Sequence, residues 1–246
     1  MHAKTSIDGP SFDVTVEVLR GIVRACGQDL TLSRRERQVA VAIAVHSGST
    51  SEQLCDLLYP GQDWRRARTV LKVYVHRLRK RAGRDFIAYG GSTYQLGPNV
   101  GTDIGRADAL LGKTSCSIDL VDRRDRDCAE ALARSLRAAR PAQLIELDWY
   151  YRLSERYSVR GRRLAMAVAR SAMRSGEVND AIRVCRELLE EDPCDEEARE
   201  LLIRAHASSG ERAAALTEFR TYRTTLAREL QAEPSRELHE LVHQLA

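Results

Sequence analysis

Two short stretches combine residue types and spacing that can do chemistry. The first is HELVH, in which His239, Glu240 and His243 satisfy H-E-x-x-H. On a helix the two imidazoles share a face and can bind zinc, with Glu240 as general base. Such a zinc site needs a third protein ligand, usually supplied downstream, and only three residues follow His243. Periodicity accounts for the segment without metal, because Leu238, Leu241, Val242 and Leu245 form one apolar stripe and leave both histidines at its margin. The second stretch is RRARTVLKVYVHRLRKRAG, from Arg65 to Gly83. Residues 63–84 hold nine Lys/Arg and the single acid Asp63. A helix so charged lacks the i,i+4 acids that relieve like-charge repulsion. The chemistry it suits is capture of a polyanion, with affinity from released counterions.

The elements around that stretch must position it. The opening FDVTVEVLRGIVRACGQDLTL alternates apolar residues at Phe12, Val14, Val16 and Val18 and reads as short strands. Ser33 followed by Glu36 is a capping box, which starts a helix over 34–46 that Ser47-Gly48 closes. EQLCDLLYPG is a second, short helix stopped by Pro60-Gly61. Asp63 or a neighbour caps a third, longer helix that Gly83 ends. DFIAYGGSTYQLG then places two β-type runs around a Gly90-Gly91-Ser92 turn.

At about 100° per residue, Ala67, Leu71, Tyr74, Val75, Leu78 and Ala82 of the third helix make one stripe that must face a core. Arg65, Arg68, Lys72, His76, Arg79 and Lys80 fall opposite, with Thr69 and Val73 among them and Arg66 and Arg77 on the flanks. Two helices, a longer basic helix and a hairpin make a winged helix-turn-helix. The basic helix fits a DNA major groove, where arginine reaches guanine and Val73 or the Thr69 methyl meets thymine. Tyr74, Arg77 and Lys80, nearer the edge, suit phosphates. Double-stranded DNA is favoured over RNA, whose deep narrow groove excludes a helix.

After residue 100 the β-type signals stop and Ala/Leu periodicity takes over. GEVNDAIRVCRELLEEDP from Gly176 aligns with GERAAALTEFRTYRTTLARELQAEP from Gly210. The offset of 34 residues is the period of tetratricopeptide helix pairs. A solenoid of about three pairs is expected, with a concave surface for a protein partner.

The order LSRRERQVAVAIAVHSG, SEQLCDLLYPG, RTVLKVYVHRLRKRAG, GGSTYQL resembles the OmpR/PhoB-type winged helix as it occurs in SARP-type transcriptional activators. GTDIGRADALLG and GERAAALTEFRTYRTTLARELQAEPSRELHELVHQL resemble the start and end of the bacterial transcriptional activator domain that follows it there, although the usual aromatic near the start is Ala107 here. The resemblance implies that Arg65 to Lys80 enter the major groove. It implies that the wing, Tyr89 to Tyr94, lies by the minor groove with Tyr89 and Thr93 as its contacts. It further implies that Tyr59, Gly61, Gln62, Asp63 and Trp64 form a loop that meets RNA polymerase holoenzyme, and that the helical domain supports a homodimer. The wing departs from the family by carrying no cation, which limits it to packing and a phosphate contact.

The whole chain fits this reading. Its 246 residues suffice for two domains, and the composition, 43% hydrophobic, 30% charged and 5% aromatic, leans toward helix. The net charge of +4 divides into +6 over residues 1–100 and −2 beyond. The six cysteines show no C-x-x-C pair and read as small buried apolar residues. No membrane-crossing run and no secretory signal is present, so a cytoplasmic protein without a membrane partner is expected. No Walker A, nucleophile elbow or dinucleotide fingerprint appears, so neither an enzyme nor a cofactor is expected. The expected fold is mainly α with a small β component. A flexible tail (1–10) precedes a winged helix-turn-helix (11–100) and an α-helical TPR-like repeat domain (101–246). The expected function is a sequence-specific DNA-binding transcription regulator, an activator. The alternatives are a repeat-based adaptor whose basic helix binds nucleic acid or acidic partners nonspecifically and, remotely, a zinc metallopeptidase.

Overall fold

In this computed structural model the described residues are 13–112, 120, 122–138 and 147–245. The expected tail, Phe12 and Cys116 lie outside them. The chain divides into two compact units, Met1–Ser115 with Leu132–Gly161, and Cys116–Ala131 with Arg162–Ala246.

The first unit opens with β1 (Val14–Glu17), β2 (Ile22–Ala25) and β3 (Gln28–Asp29), joined antiparallel. Val14, Val16 and Val18 are buried as the alternation requires. Next come α1 (Arg34–Val45), β4 (Ser49–Thr50), α2 (Ser51–Leu58), α3 (Trp64–Ala82), a 3-10 turn (Arg84–Phe86), β5 (Ile87–Gly90) and β6 (Thr93–Leu96). One strand was not legible: β7 (Val100–Thr102) pairs parallel to β1, so β structure continues past residue 100. Three residues with Gly101 in the middle carry no local strand signal, and the pairing is supplied by the distant β1. The four-stranded sheet has order β3-β2-β1-β7, and the wing sheet β4-β6-β5.

Caps set the helix starts. Ser33 and Glu36 form the expected capping box, with the Ser33 N–H donating to Glu36 Oε2 at 2.8 Å. Thr50 and Gln53 form a second box that the pattern T-x-x-Q announces. Burial alone would raise Glu36, yet its Ser33 hydrogen bonds, Arg81 and Arg77 hold it below the usual carboxylate range. Arg81 reaches it at 3.2 Å, which locks the end of α3 onto the start of α1.

β7 leads into α4 (Asp103–Gly112), whose first residue is a buried latch. Asp103 is 1% exposed and accepts the Val18 and Ile104 N–H groups on Oδ1, both at 2.8 Å, and the Ser135 hydroxyl on Oδ2 at 3.4 Å. Burial outweighs these donors and pushes its pKa up to about 6. A raised carboxyl pKa gives stability that is complete below the unfolded value near 3.9 and lost as pH rises through about 6. Asp103→Asn keeps an acceptor and removes the titration. It is expected to flatten the fall in stability between pH 4 and 7, a difference on the order of 2–3 kcal/mol, measured by urea denaturation across that range.

Two longer helices follow, α5 (Arg123–Arg137) and α6 (Asp148–Arg174). Within the first unit Gly161 lets them cross closely, since a Cβ there would lie 2.8 Å from Leu136 Cβ. The fully buried Tyr150 donates its hydroxyl to the Leu19 carbonyl at 2.5 Å, and Trp149 packs edge-on against His46. His46 caps α1, and its burial lowers its pKa and favours neutral imidazole over a cation serving the helix dipole.

The second unit contains the repeat. Here α7 (Val178–Glu191), α8 (Glu196–Ser208), α9 (Arg212–Leu230) and α10 (Arg236–Leu245) pack successively. Gly176 and Gly210, with φ of 77° and 75°, end their helices in the same way. Glu177 N–H bonds to Ala172 O and Glu211 N–H to His206 O, both at 2.9 Å. The 34-residue period is thus a repeated left-handed glycine stop. Among these helices α7 with α8 and α9 with α10 make two pairs, and α10 closes the repeat. Leu238, buried with Ile203, Phe219 and Tyr222, anchors that closing helix, with Leu241, Val242 and Leu245 packed alongside. Of the cysteines, Cys55 and Cys185 are buried as expected, Cys128 and Cys194 are half-buried, and Cys26 is exposed. Cys26 occupies a turn with the left-handed φ of 50°.

Candidate nucleic-acid interface

The third helix carries the site. Asp63 caps it by accepting the Arg66 N–H at 3.0 Å, and Gly83, with φ 102°, ends it. Ala67, Leu71, Val75, Leu78 and Ala82 are buried. Tyr74, placed in that stripe by the wheel, is half-buried, and the Arg77 guanidinium lies 5.5 Å from its ring centre. Opposite, Arg65, Arg66, Arg68, Thr69, Lys72, Val73, His76, Arg77 and Lys80 are all exposed.

The electrostatics of this face are one-sided. Among the described residues no carboxylate forms an ion pair with Arg65, Arg66, Arg68, Lys72, Arg77 or Lys80. Arg65 and Arg66 sit in the first turn, where the helix dipole disfavours cations, and no acid accompanies them inside the helix. Cations in the last turn suit the dipole, so Arg79, Lys80 and Arg81 have a structural reason that the others lack.

The structure separates cations that the sequence groups together. Arg79 is half-buried, and its Nε donates to the Ile87 carbonyl at 2.8 Å, tying α3 to the wing. Arg81 also donates to the Thr31 carbonyl at 2.6 Å. The Arg68 guanidinium lies 5.3 Å from the Trp64 ring centre, beside the loop that precedes α3. The backbone partners of Arg79 and Arg81 are brought up by the fold, whereas Trp64 is an i,i+4 neighbour of Arg68 on the same helix.

The wing is short. Gly91 and Ser92, with φ of 58° and 73°, form its turn, and Tyr89 pairs with Tyr94 and Gly90 with Thr93. Exposed Tyr89 packs its ring 4.7 Å from the buried Tyr94 ring, while Thr93 is half-buried and donates its hydroxyl to Gly90 O. In the loop before α3, Gly61, Gln62 and Asp63 are exposed, as is Trp64, the first residue of α3. Tyr59 is 5% exposed, with the Arg35 guanidinium 5.5 Å from its ring centre, and burial pushes its pKa up to about 12. The open surface of that loop therefore begins after Tyr59.

The HELVH segment is engaged otherwise. Glu240 ion-pairs with Arg236 at 2.7 Å, and His239 packs edge-on against Phe219. Among the described residues no group of three His, Cys, Asp or Glu is placed to hold a metal ion. No helix of the described residues is long and apolar enough to cross a membrane.

The fold is a winged helix followed in the chain by TPR-like helix pairs. Residues 142–246 match the family model of the bacterial transcriptional activator domain. The fold is similar to that of Mycobacterium tuberculosis EmbR, solved in complex with a low-affinity phosphopeptide, with a TM-score of 0.67 at 20% identity. The alignment covers 96% of this chain and 65% of that one, so this chain spans just under two thirds of that structure's length. No curated protein matches. The resemblance of the C-terminal segment to that domain is thereby borne out over residues 142–246, and the likeness to EmbR is one of fold.

Proposed function

We propose that this chain binds double-stranded DNA sequence-specifically and activates transcription by recruiting RNA polymerase holoenzyme. The observation that carries this reading is the exposed, carboxylate-free cationic face of α3. Its like charges go unrelieved within the described protein, and a duplex supplies the missing anions. In this reading α3 enters the major groove, with Arg66, Thr69, Val73 and His76 toward base edges and Arg65, Lys72, Arg77 and Lys80 toward phosphates. The cation-free wing rests Tyr89 and Thr93 against the backbone. The exposed loop of Gly61 to Trp64 faces the polymerase, the winged helix (11–100) holds the DNA, and the helical-repeat domain (101–246) supplies the dimer or partner surface.

Selection of bound fragments from random-sequence duplexes by the full chain tests the proposal. The selected duplex is expected to bind at least about a thousandfold tighter than random duplex at physiological salt. Equal affinity for both would replace this reading with a nonspecific adaptor.

A further inference from the structure

Two apolar side chains stand in the middle of the cationic face. Val73 is 45% and Val70 37% exposed, on a helix whose other valine, Val75, is buried. Thr69 lies beside them, and its hydroxyl donates to the Arg65 carbonyl at 2.9 Å. That proton is used within the helix, which leaves Thr69 with an acceptor oxygen and a methyl. At 100° per residue the three positions share about 100° of arc, and i,i+3 neighbours stand about 5–6 Å apart. Arg66 lies one turn before Val70 and Arg77 one turn after Val73, so cations bound the apolar patch at both ends. Two exposed β-branched residues cost helix propensity and recover no burial here. Ordinary surface patterning would place lysine or glutamate at such positions. A patch of three small side chains ringed by cations is too small and too basic to be the core of a protein interface, where charge is depleted.

We infer that Val70 and Val73, with the Thr69 methyl, read thymine C5-methyl groups at the centre of the DNA half-site. This deepens the proposed function and rests on it, because the patch reads bases only if α3 enters the major groove. The thymine methyl is the apolar feature of that groove, and the separation of the two valines is on the scale of neighbouring base pairs, about 3.4 Å apart along each strand. The recognised chemistry is therefore a duplex with thymines between its outer phosphate and arginine contacts. The patch accounts for selectivity, whereas the surrounding cations account for affinity.

Deoxyuridine substitution tests this by deleting the methyl alone. In the duplex selected by the full chain, each thymine is replaced in turn by deoxyuridine, which preserves pairing and charge. Affinity is expected to fall about fourfold per methyl at one or two central positions, the factor one buried methyl contributes. Val73→Ala and Val70→Ala are expected to abolish that penalty at their respective positions and to leave the salt slope unchanged. Both sites are exposed and alanine favours helix, so circular dichroism should show an intact fold. If the native chain binds the duplex tightly yet tolerates deoxyuridine everywhere within twofold, the inference is overturned while DNA binding stands. A penalty that survives in both variants and their combination assigns the methyls to other residues and overturns it as well. Failure to bind any duplex overturns the proposed function, and this inference with it.

Discussion

Replacing Arg65, Lys72 and Lys80 together by alanine should lower affinity for the selected duplex about a hundredfold at physiological salt and reduce the salt slope by about three. Each neutralised phosphate contributes about 0.9 to that slope, and at 0.15 M salt this amounts to roughly fivefold in affinity per contact. All three side chains are exposed and none pairs with a described carboxylate, so their removal deprives the folded chain of nothing. Relief of like-charge repulsion along α3 should hold or slightly raise the thermal midpoint. Fluorescence anisotropy between 50 and 300 mM salt reads both quantities. An unchanged slope would show that the polyanion binds elsewhere and would remove α3 from the interface.

Tyr150→Ala should cost about 4 kcal/mol, the largest single loss of stability expected here. Its ring is fully buried, and its hydroxyl donates to the Leu19 carbonyl, 131 residues away in sequence and in the turn after β1. Truncation leaves a cavity and an unpaired carbonyl. Tyr150→Phe keeps the packing and loses only the hydrogen bond, so it should cost about 1 kcal/mol. Urea denaturation of both variants separates the two contributions. A loss below about 1 kcal/mol for the alanine variant would show that Tyr150 does not hold the start of α6 against the β1–β2 turn.

Much of the fold was legible because it is fixed by near neighbours in the chain. Ser33 with Glu36, Asp63 ahead of α3, the Gly90-Gly91-Ser92 turn and the 34-residue glycine spacing each act within one helical turn or one hairpin. Chain-local geometry leaves such residues few alternatives. The pairing of Thr50 with Gln53 was equally readable and gave its capping box the same local signature. The illegible features join residues far apart. Strand β7 exists because β1 accepts it in parallel. Asp103 gains its raised pKa from burial, against the Val18 and Ile104 N–H groups that lower it, and a lone aspartate at a helix start announces neither.

The candidate site divides along the same line. Counting charge and placing residues on a wheel identified α3 and its outward face, because helical periodicity alone determines which residues share a side. Sequence could not say which cations remain available. Arg79 turned to the Ile87 carbonyl and Arg81 to Glu36 and Thr31, whereas Arg65, Arg66, Lys72 and Lys80 found no described carboxylate. Tyr59 was drawn under Arg35, and His46 was buried against Trp149. Elements, caps, repeat and charge were thus determined by the sequence itself, through forces that act over a few residues. The available charges and the buried titrating carboxyl were decided only by tertiary structure, because desolvation and pairing depend on which distant segments arrive.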